Sequence, residues 1–496
     1  MTVRLLKFLG AVVALSFMVP GAAGATDWLR AESPHFVVYS SGGEAELRAN
    51  VRTLEDFDDL LRKVHNLPAD APTTRKLDLY LVSGPGELGE VRPNMVGKAY
   101  GFYSASLGDI FAVGIRSQAE DRDDTVLHEY VHHFMMQNYL TAYPAWLVEG
   151  YAEYFMTAEL TPTVREVGRY NQERANTLAN FPWIRVRDLL NKRPRELGPR
   201  EGGVYYAQAW LLTHYMMSDP ARRQALGRYL AALGKGTSSM QTWTDTVGDD
   251  EIGLEKKLKA HFRASLAGVN YPRARAFETE MSVSRMPKSA DRLLLLGLRA
   301  RGGGAPPADQ PKLIDDIRRE AARYPDDRLA RLALAQVEVG YGDLSAGLAV
   351  LDAMLKSDPN DVEALRLAAY AHLRRVEDAK NGRAAVDEDR TAGLALLTRA
   401  FKLRPDDYQV LYNYARIQAG TPGYPSDNAV NALLRAVELA PQVDAIRVAA
   451  GEALITKQRG PEAIDVLTPV ANNPHGGGFS PRAQALIARA SGSAPP

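Results

Sequence analysis

The pentapeptide H-E-Y-V-H at residues 128–132 constrains the fold of this chain more than any other feature. Residues four apart on an α-helix lie one turn apart on one face, so the two imidazoles converge if this segment is helical. Apolar residues recur at helical spacing over residues 124–135, which favours that conformation. In such a helix the histidines bind zinc and the glutamate is a general base. The sequence therefore predicts His128 and His132 as metal ligands and Glu129 as the base.

A second helical segment supplies the further ligand that a hydrolytic zinc site needs. Such a site has three protein ligands and one open position, and two histidines with one glutamate is a known set. Residues 143–155 read Y-P-A-W-L-V-E-G-Y-A-E-Y-F, with a proline near the first turn of the predicted helix. Glu149 and Glu153 are four residues apart on one face of it. We expect Glu149 to be the third ligand and Zn²⁺ to be the ion.

The segments H-E-Y-V-H and W-L-V-E-G-Y-A-E together resemble the gluzincin metallopeptidases, whose third zinc ligand is the glutamate of a similar W-L-x-E-G-x-A segment. The resemblance implies that His128, His132 and Glu149 hold zinc and that Glu129 is the general base. It also implies that Glu153 is hydrogen-bonded to the first histidine. A partner of this kind fixes the tautomer and orientation of a ligand imidazole.

A third helical segment, residues 202–215, follows the two predicted metal helices. Gluzincins generally supply a tyrosine or a histidine from a helix in this region, and hydrolysis of an amide needs such a donor for the oxyanion. Tyr206 is predicted for this role, with Tyr205 and His214 as alternatives. His133 points about 100 degrees around the helix from His132, so we interpret it as a packing or supporting group.

Strand and helix signals alternate before the H-E-Y-V-H segment. The predicted elements are a strand at 35–40, an amphipathic helix at 44–64, a strand of alternating polarity at 76–82, and a hairpin of strands at 99–104 and 109–115. In gluzincins an edge strand binds the extended substrate backbone by strand addition, and either hairpin strand is a candidate here. The segments S-P-H-F-V-V-Y-S and Y-Y-A-Q-A-W, together with H-E-Y-V-H and the E-G-Y-A-E segment, resemble bacterial peptidase MA-like domains. This resemblance covers roughly residues 28–270.

Prolines recur at nearly regular intervals in the C-terminal part. The intervals are 34 residues from Pro325 to Pro359, 46 to Pro405, 36 to Pro441 and 33 to Pro474. Intervals near 34 are typical of tetratricopeptide repeats, and a charged insertion near residues 377–390 explains the long one. A helical array of this kind presents a concave surface that binds peptides or partner proteins.

The first 25 residues have the pattern of a secretory signal peptide. Arg4 and Lys7 precede an apolar run at 8–19, and Ala23-Gly24-Ala25 is a small-residue cleavage site. We therefore expect export to the periplasm or the extracellular space, with no stable membrane insertion after cleavage. The absence of cysteine excludes disulfides and cysteine ligands, and 60 Lys plus Arg against 60 Asp plus Glu gives no reason to expect a nucleic-acid partner.

The predicted fold class is an α+β zincin-like peptidase domain at residues 26–284 followed by an all-α tetratricopeptide-like solenoid at 285–496. The predicted function is that of an exported zinc-dependent metallopeptidase that hydrolyses peptide bonds through a zinc-activated water, with the array binding substrate or a partner. Two alternatives remain. One is a catalytically vestigial protein-binding scaffold built on the array, and the other is a zinc amidase acting on a non-peptide cell-wall substrate.

Overall fold

The computed structural model describes residues 27–68, 75–97, 100–116, 124–139, 143–233, 239–264, 266–273, 276–302, 304–378, 383–473 and 478–492. The predicted signal peptide at residues 1–25 lies outside these ranges. The described chain has an N-terminal part that contains the β-sheets and a C-terminal part that is helical.

Nine strands form two sheets in the described residues of the N-terminal part. They are β1 (Leu29–Glu32), β2 (Phe36–Ser40), β3 (Leu77–Val82), β4 (Gly101–Ala105), β5 (Ile110–Ile115), β6 (Glu159–Leu160), β7 (Val164–Val167), β8 (Val269–Pro272) and β9 (Ser282–Arg285). The larger sheet has the order β4-β5-β3-β2-β1-β9, and the smaller has the order β6-β7-β8. Strands β2, β3 and β5 are parallel, whereas β4 runs antiparallel to β5. Of the two hairpin strands, β4 is therefore the edge strand.

Ten α-helices accompany these strands in the part of the chain that the structure describes. They are α1 (Glu44–Val64), α2 (Pro85–Val91), α3 (Asp124–Asn138), α4 (Ala145–Phe155), α5 (Gln172–Asn180), α6 (Val186–Asn191), α7 (Pro199–Met217), α8 (Pro220–Leu233), α9 (Ser239–Val247) and α10 (Glu251–Arg263). The predicted helices at 44–64, 124–135, 143–155 and 202–215 are confirmed as α1, α3, α4 and α7. Helix α3 packs beside α4 and against β4 and β5, while α4 packs along α7.

The larger sheet is covered on both faces, which the predicted alternation of polarity in strand 76–82 did not anticipate. Leu79 and Leu81 face the core that contains α1 and α3. Tyr80 and Val82 face the opposite way, into a core shared with α2 and with the first helix of the C-terminal part. Strand β3 is thus apolar on both sides because a distant segment covers its second face.

The C-terminal part contains eleven helices within the described ranges. They are α11 (Ala290–Arg301), α12 (Gln310–Ala321), α13 (Arg328–Tyr341), α14 (Leu344–Ser357), α15 (Val362–Asp378), α16 (Arg383–Leu403), α17 (Tyr408–Ile417), α18 (Asp427–Leu439), α19 (Asp444–Thr456), α20 (Gly460–Ala471) and α21 (Ser480–Ala490). Successive helices pack as pairs, from α13 with α14 to α19 with α20. The pairs form a repeat array, and α21 follows the last pair.

Proline and aspartate mark turns of the array. Pro325 lies between α12 and α13, Pro359 between α14 and α15, and Pro405 between α16 and α17, and proline disfavours continuation of a helix. Asp327 and Asp407 then cap α13 and α17 by accepting backbone N–H groups. The interval of 46 residues is taken up by the longer helices α15 and α16, of 17 and 21 residues.

Within the described ranges, no helix combines the length and the apolar character needed to cross a bilayer.

Candidate metal centre

Two helices bring three candidate metal-ligating side chains together. Helix α3 carries His128 and His132 one turn apart, and α4 carries Glu149 toward them. Helix α4 approaches its other neighbour, α7, very closely at Gly150. A Cβ at Gly150 would lie 2.3 Å from the carbonyl oxygen of Ala209 and 2.4 Å from Oγ1 of Thr213. Glycine after Glu149 therefore lets α4 lie between α3 and α7.

The spacing of the three side chains fits a single small cation. The two Nε2 atoms of His128 and His132 are 3.1 Å apart, and each lies 3.6 Å from Oε2 of Glu149. Ligand atoms about 2.1 Å from a common centre at tetrahedral angles are about 3.4 Å apart. Two imidazoles and one carboxylate are also a donor set that zinc accepts. The residues present therefore fit a zinc ion, and all their ligand atoms lie within 4.8 Å of one another.

Carboxylates give this site a negative potential. Burial lowers the pKa of His128, but Glu149, Glu153 and Glu129 outweigh that effect and raise the pKa to about 9. Glu149 and Glu153 are both buried in the domain core. A positive charge between these carboxylates is thus favoured. Protonated His128 supplies that charge in the metal-free chain, and a bound cation can supply it instead.

Glu153 lies beside His128 but makes its short contacts with an arginine. Its Oε1 is 3.8 Å from Nδ1 of His128, which is beyond hydrogen-bond distance. Arg174, at the start of α5, donates to both carboxylate oxygens, at 2.8 Å and 2.7 Å. Asn171, the N-cap of α5, donates a weaker bond at 3.4 Å. No local pattern in the sequence indicates which carboxylate Arg174 meets.

The three candidates for the oxyanion donor lie in different surroundings. Tyr206 lines the same cavity as the two histidines and Glu149. Tyr205 is fully buried and donates to the carbonyl oxygen of Lys192 at 3.0 Å. His214 is also buried, with Nδ1 2.9 Å from Nε2 of His261. Of the three, only Tyr206 is among the residues described as lining the cavity.

His133 points away from the three ligands, toward the edge strand. Its Nδ1 lies 3.2 Å from the hydroxyl of Tyr103 on β4. Burial lowers the pKa of His133 to about 3, so the ring is neutral at physiological pH. This side chain supports the contact between α3 and β4.

One cavity connects the candidate metal ligands with the C-terminal array. Its volume is about 1060 Å³. One side is lined by His128, Glu129, His132 and Glu149 together with residues 101–108, which include edge strand β4. The other side is lined by helices of the array. The sequence could not indicate this arrangement, because the two walls are separated by more than 150 residues along the chain.

Side chains at the start of α17 fasten the array to the turn after β4. The hydroxyl of Tyr408 donates to the carbonyl oxygen of Ser106 at 3.2 Å. Nε2 of Gln409 donates to the carbonyl oxygens of Leu107 and Gly108, at 2.5 Å and 2.8 Å. These bonds fix the array against the edge strand, so the cavity has two walls of defined position.

Comparisons with known proteins give a family-model match over part of the chain and likenesses to several solved structures. Residues 123–237 match the family described as "Protein of unknown function (DUF1570)". The crystal structure of a thermophilic TPR protein from Thermus thermophilus is 18% identical, and the match covers 40% of this chain and 96% of that chain with a TM-score of 0.33. A comparison with curated proteins gave no match.

Proposed function

We propose that this chain is an exported zinc metallopeptidase of gluzincin type whose helical array contributes to substrate binding. The observation that carries the proposal is the convergence of His128, His132 and Glu149 from two helices at the spacing of tetrahedral ligands. Export is proposed from the signal-like pattern of residues 1–25.

The residues around the cavity divide the chemistry of amide hydrolysis between them. His128, His132 and Glu149 would hold Zn²⁺, which supplies a Lewis acid that polarises a carbonyl group and acidifies water. Glu129 lines the same cavity, and in this proposal its carboxylate takes the proton of the attacking water and delivers it to the leaving amine. Tyr206 donates its hydroxyl hydrogen to the developing oxyanion.

Edge strand β4 gives an extended peptide a place to bind. Its outer edge has no strand partner among the described residues, and residues 101–105 line the cavity beside the metal-ligating side chains. An extended chain that adds to this edge gains backbone hydrogen bonds along its length. Such binding favours a peptide as substrate, since it uses groups that every peptide carries.

Hydrolysis of a mixed pool of synthetic peptides, followed by mass spectrometry, tests the proposal on the mature zinc-loaded chain. The Glu129→Gln variant should keep its zinc and lose turnover by about 10²–10⁴-fold, because the general base is removed and no ligand is. Glu255→Gln on α10 is the matched control, since it removes a partly exposed carboxylate paired with Lys259. It should leave turnover unchanged.

Three outcomes separate the alternatives. Cleavage of peptide bonds that depends on Glu129 supports the metallopeptidase. Cleavage of a cell-wall amide with no cleavage of peptides favours the amidase, and a folded, zinc-loaded chain that hydrolyses neither favours the binding scaffold. Equal peptide turnover in Glu129→Gln and in the wild type contradicts the role assigned to Glu129.

A further inference from the structure

The array contributes its inner helices to the cavity that holds the metal-ligating residues. Helices α13, α15, α17 and α19, each the first helix of a pair, supply lining residues, and α20 adds Pro469, whereas α14, α16 and α18 supply none among the described residues. We call this surface the array wall. It places Gln336, Arg366, Tyr370, Tyr412 and Arg447 around the same space as the metal-ligating side chains.

Arg366 brings to the array wall a positive charge that pairs with no acidic side chain in the described part of the chain. It has no ion-pair partner among the described residues, and its Nε is buried there without a hydrogen bond. Burial raises the pKa of Asp109, but the charges of Arg301, Arg75 and Arg366 outweigh that effect and lower it. That carboxylate already accepts from Arg75 at 2.8 Å and from Arg301 at 2.7 Å. Asp109 therefore leaves the charge of Arg366 available to a ligand.

A second arginine adds to the positive charge of the array wall. Arg447 on α19 is buried and gives hydrogen bonds to the carbonyl oxygens of Pro441 and Val466. Burial lowers its pKa to about 10, so it remains charged at neutral pH. The array contributes one carboxylate to the described lining, that of Asp444, which accepts from Asn473 at 2.9 Å. Two guanidinium groups against one carboxylate leave the array wall cationic.

We propose that the array wall binds carboxylate groups of the substrate through Arg366, so that this cavity selects acidic peptides. A guanidinium presents paired donors that match a carboxylate. Tyr370 lies four residues on from Arg366 along α15 and is 37% exposed, so it offers an aromatic surface beside the charge. The inference rests on the proposed function for the reaction, because it names the class of peptide that the same cavity takes.

The position of the two walls explains why a peptide can use both. Its backbone adds to β4 on one side, while acidic groups reach the guanidinium on the other. The carboxylate can come from an aspartate or glutamate side chain or from the chain terminus. Both sources present the same anion to Arg366, and peptides of matched length tell them apart.

Fluorescence anisotropy with labelled peptides measures this binding without turnover. The full mature chain is stripped of metal with a chelator, which prevents hydrolysis and removes the metal as a competing site for carboxylates. Three probes are compared: an Asp/Glu-rich peptide with an amidated C-terminus, its Asn/Gln counterpart with a free C-terminal carboxylate, and the same Asn/Gln peptide amidated. Variants are Arg366→Gln and Arg366→Lys. The matched control is Arg435→Gln, which removes an arginine on outer helix α18 that pairs with Glu438 at 2.7 Å.

At least one carboxylate-bearing probe should bind the wild type about tenfold or more tighter than the amidated Asn/Gln peptide. Whichever probe gains identifies the source of the carboxylate. Arg366→Gln should remove that gain, Arg366→Lys should keep part of it, and Arg435→Gln should keep all of it. Equal binding of all three probes to the wild type overturns the inference. So does an undiminished gain in both Arg366→Gln and Arg366→Lys. Where circular dichroism shows that Arg366→Gln has misfolded, the wild-type comparison and Arg366→Lys decide.

The zinc-loaded wild type separates this inference from the proposed function. Carboxylate-dependent binding without cleavage of any peptide removes the metallopeptidase proposal and leaves the anion site. Cleavage that is indifferent to peptide charge, with no carboxylate-dependent binding, removes the anion site and leaves the metallopeptidase.

Discussion

Replacing Arg174 with glutamine removes the cation that pairs with Glu153 on α4, next to the candidate metal ligands. In the wild type, Arg174 donates two bonds of 2.8 Å and 2.7 Å to Glu153. Glu153 is only 1% exposed, whereas the Arg174 side chain is 20% exposed. The variant therefore leaves a carboxylate in the core with much weaker stabilisation and little access to water.

The expected cost follows from the burial of the pair. Removing one partner of a buried ion pair typically costs about 3–5 kcal/mol, and we expect about 3 kcal/mol here because water reaches the arginine side. Arg187→Gln is the matched control. That arginine is 66% exposed and pairs with Glu251 at 3.1 Å, and an exposed pair contributes about 1 kcal/mol or less.

Urea unfolding of the metal-free variants, followed by far-UV circular dichroism, measures both costs. The double variant Glu153→Gln with Arg174→Gln should recover part of the loss, since the buried charge is then gone, and the double-mutant cycle gives the coupling energy. Zinc affinity should fall about 10–100-fold in Arg174→Gln, because Glu153 lies next to a ligand histidine. A loss of stability no larger than that of Arg187→Gln refutes the reasoning.

Three further variants test the close approach of α4 to α7, the role of Tyr206 and the titration of His65. Gly150→Ala should destabilise the chain by about 1–3 kcal/mol or more in the same urea assay, since its Cβ would lie 2.3 Å from a backbone oxygen of α7; wild-type stability contradicts that close approach. Tyr206→Phe should keep its zinc and lower kcat by about 10²–10³-fold with little change in KM, and an unchanged kcat removes the hydroxyl from the reaction. Burial lowers the pKa of His65 to about 4, below its ordinary value near 6.5. Between about pH 4 and pH 6.5 the unfolded chain therefore binds more protons than the folded chain. The free energy of unfolding should fall by at most about 3 kcal/mol as the pH is lowered from about 6.5 to about 4. His65→Gln should flatten this part of the pH dependence in urea titrations, and an unaltered slope contradicts the assignment.

Local patterns carried much of the fold. The bounds of α1, Glu44–Val64, are those that the amphipathic period predicts. The prolines mark turns between helix pairs, because proline disfavours continuation of a helix beyond its first turn. Strand β3 shows the limit of this reasoning. Its second face is buried by α11, which lies more than 200 residues away in the sequence.

The candidate site divides in the same way. Spacing of four residues placed His128 with His132 because helical geometry is local, and the glutamate-containing segment supplied Glu149. The sequence did not indicate the roles of Arg174 and Arg366, because their positions depend on how distant helices pack. No local pattern distinguishes these two arginines from the others in the chain. The array wall is therefore a property of the folded chain that no short motif specifies.

The zinc content of the purified mature chain tests the central claim most directly. Elemental analysis of the wild type, Glu149→Ala and Glu129→Gln compares a ligand with a neighbouring carboxylate that lines the same cavity. We expect about one zinc per chain in the wild type and in Glu129→Gln. Glu149→Ala should hold far less, because a catalytic zinc site needs three protein ligands. A well-folded wild type that binds no zinc, or a Glu149→Ala variant that keeps it in full, contradicts the three-ligand site.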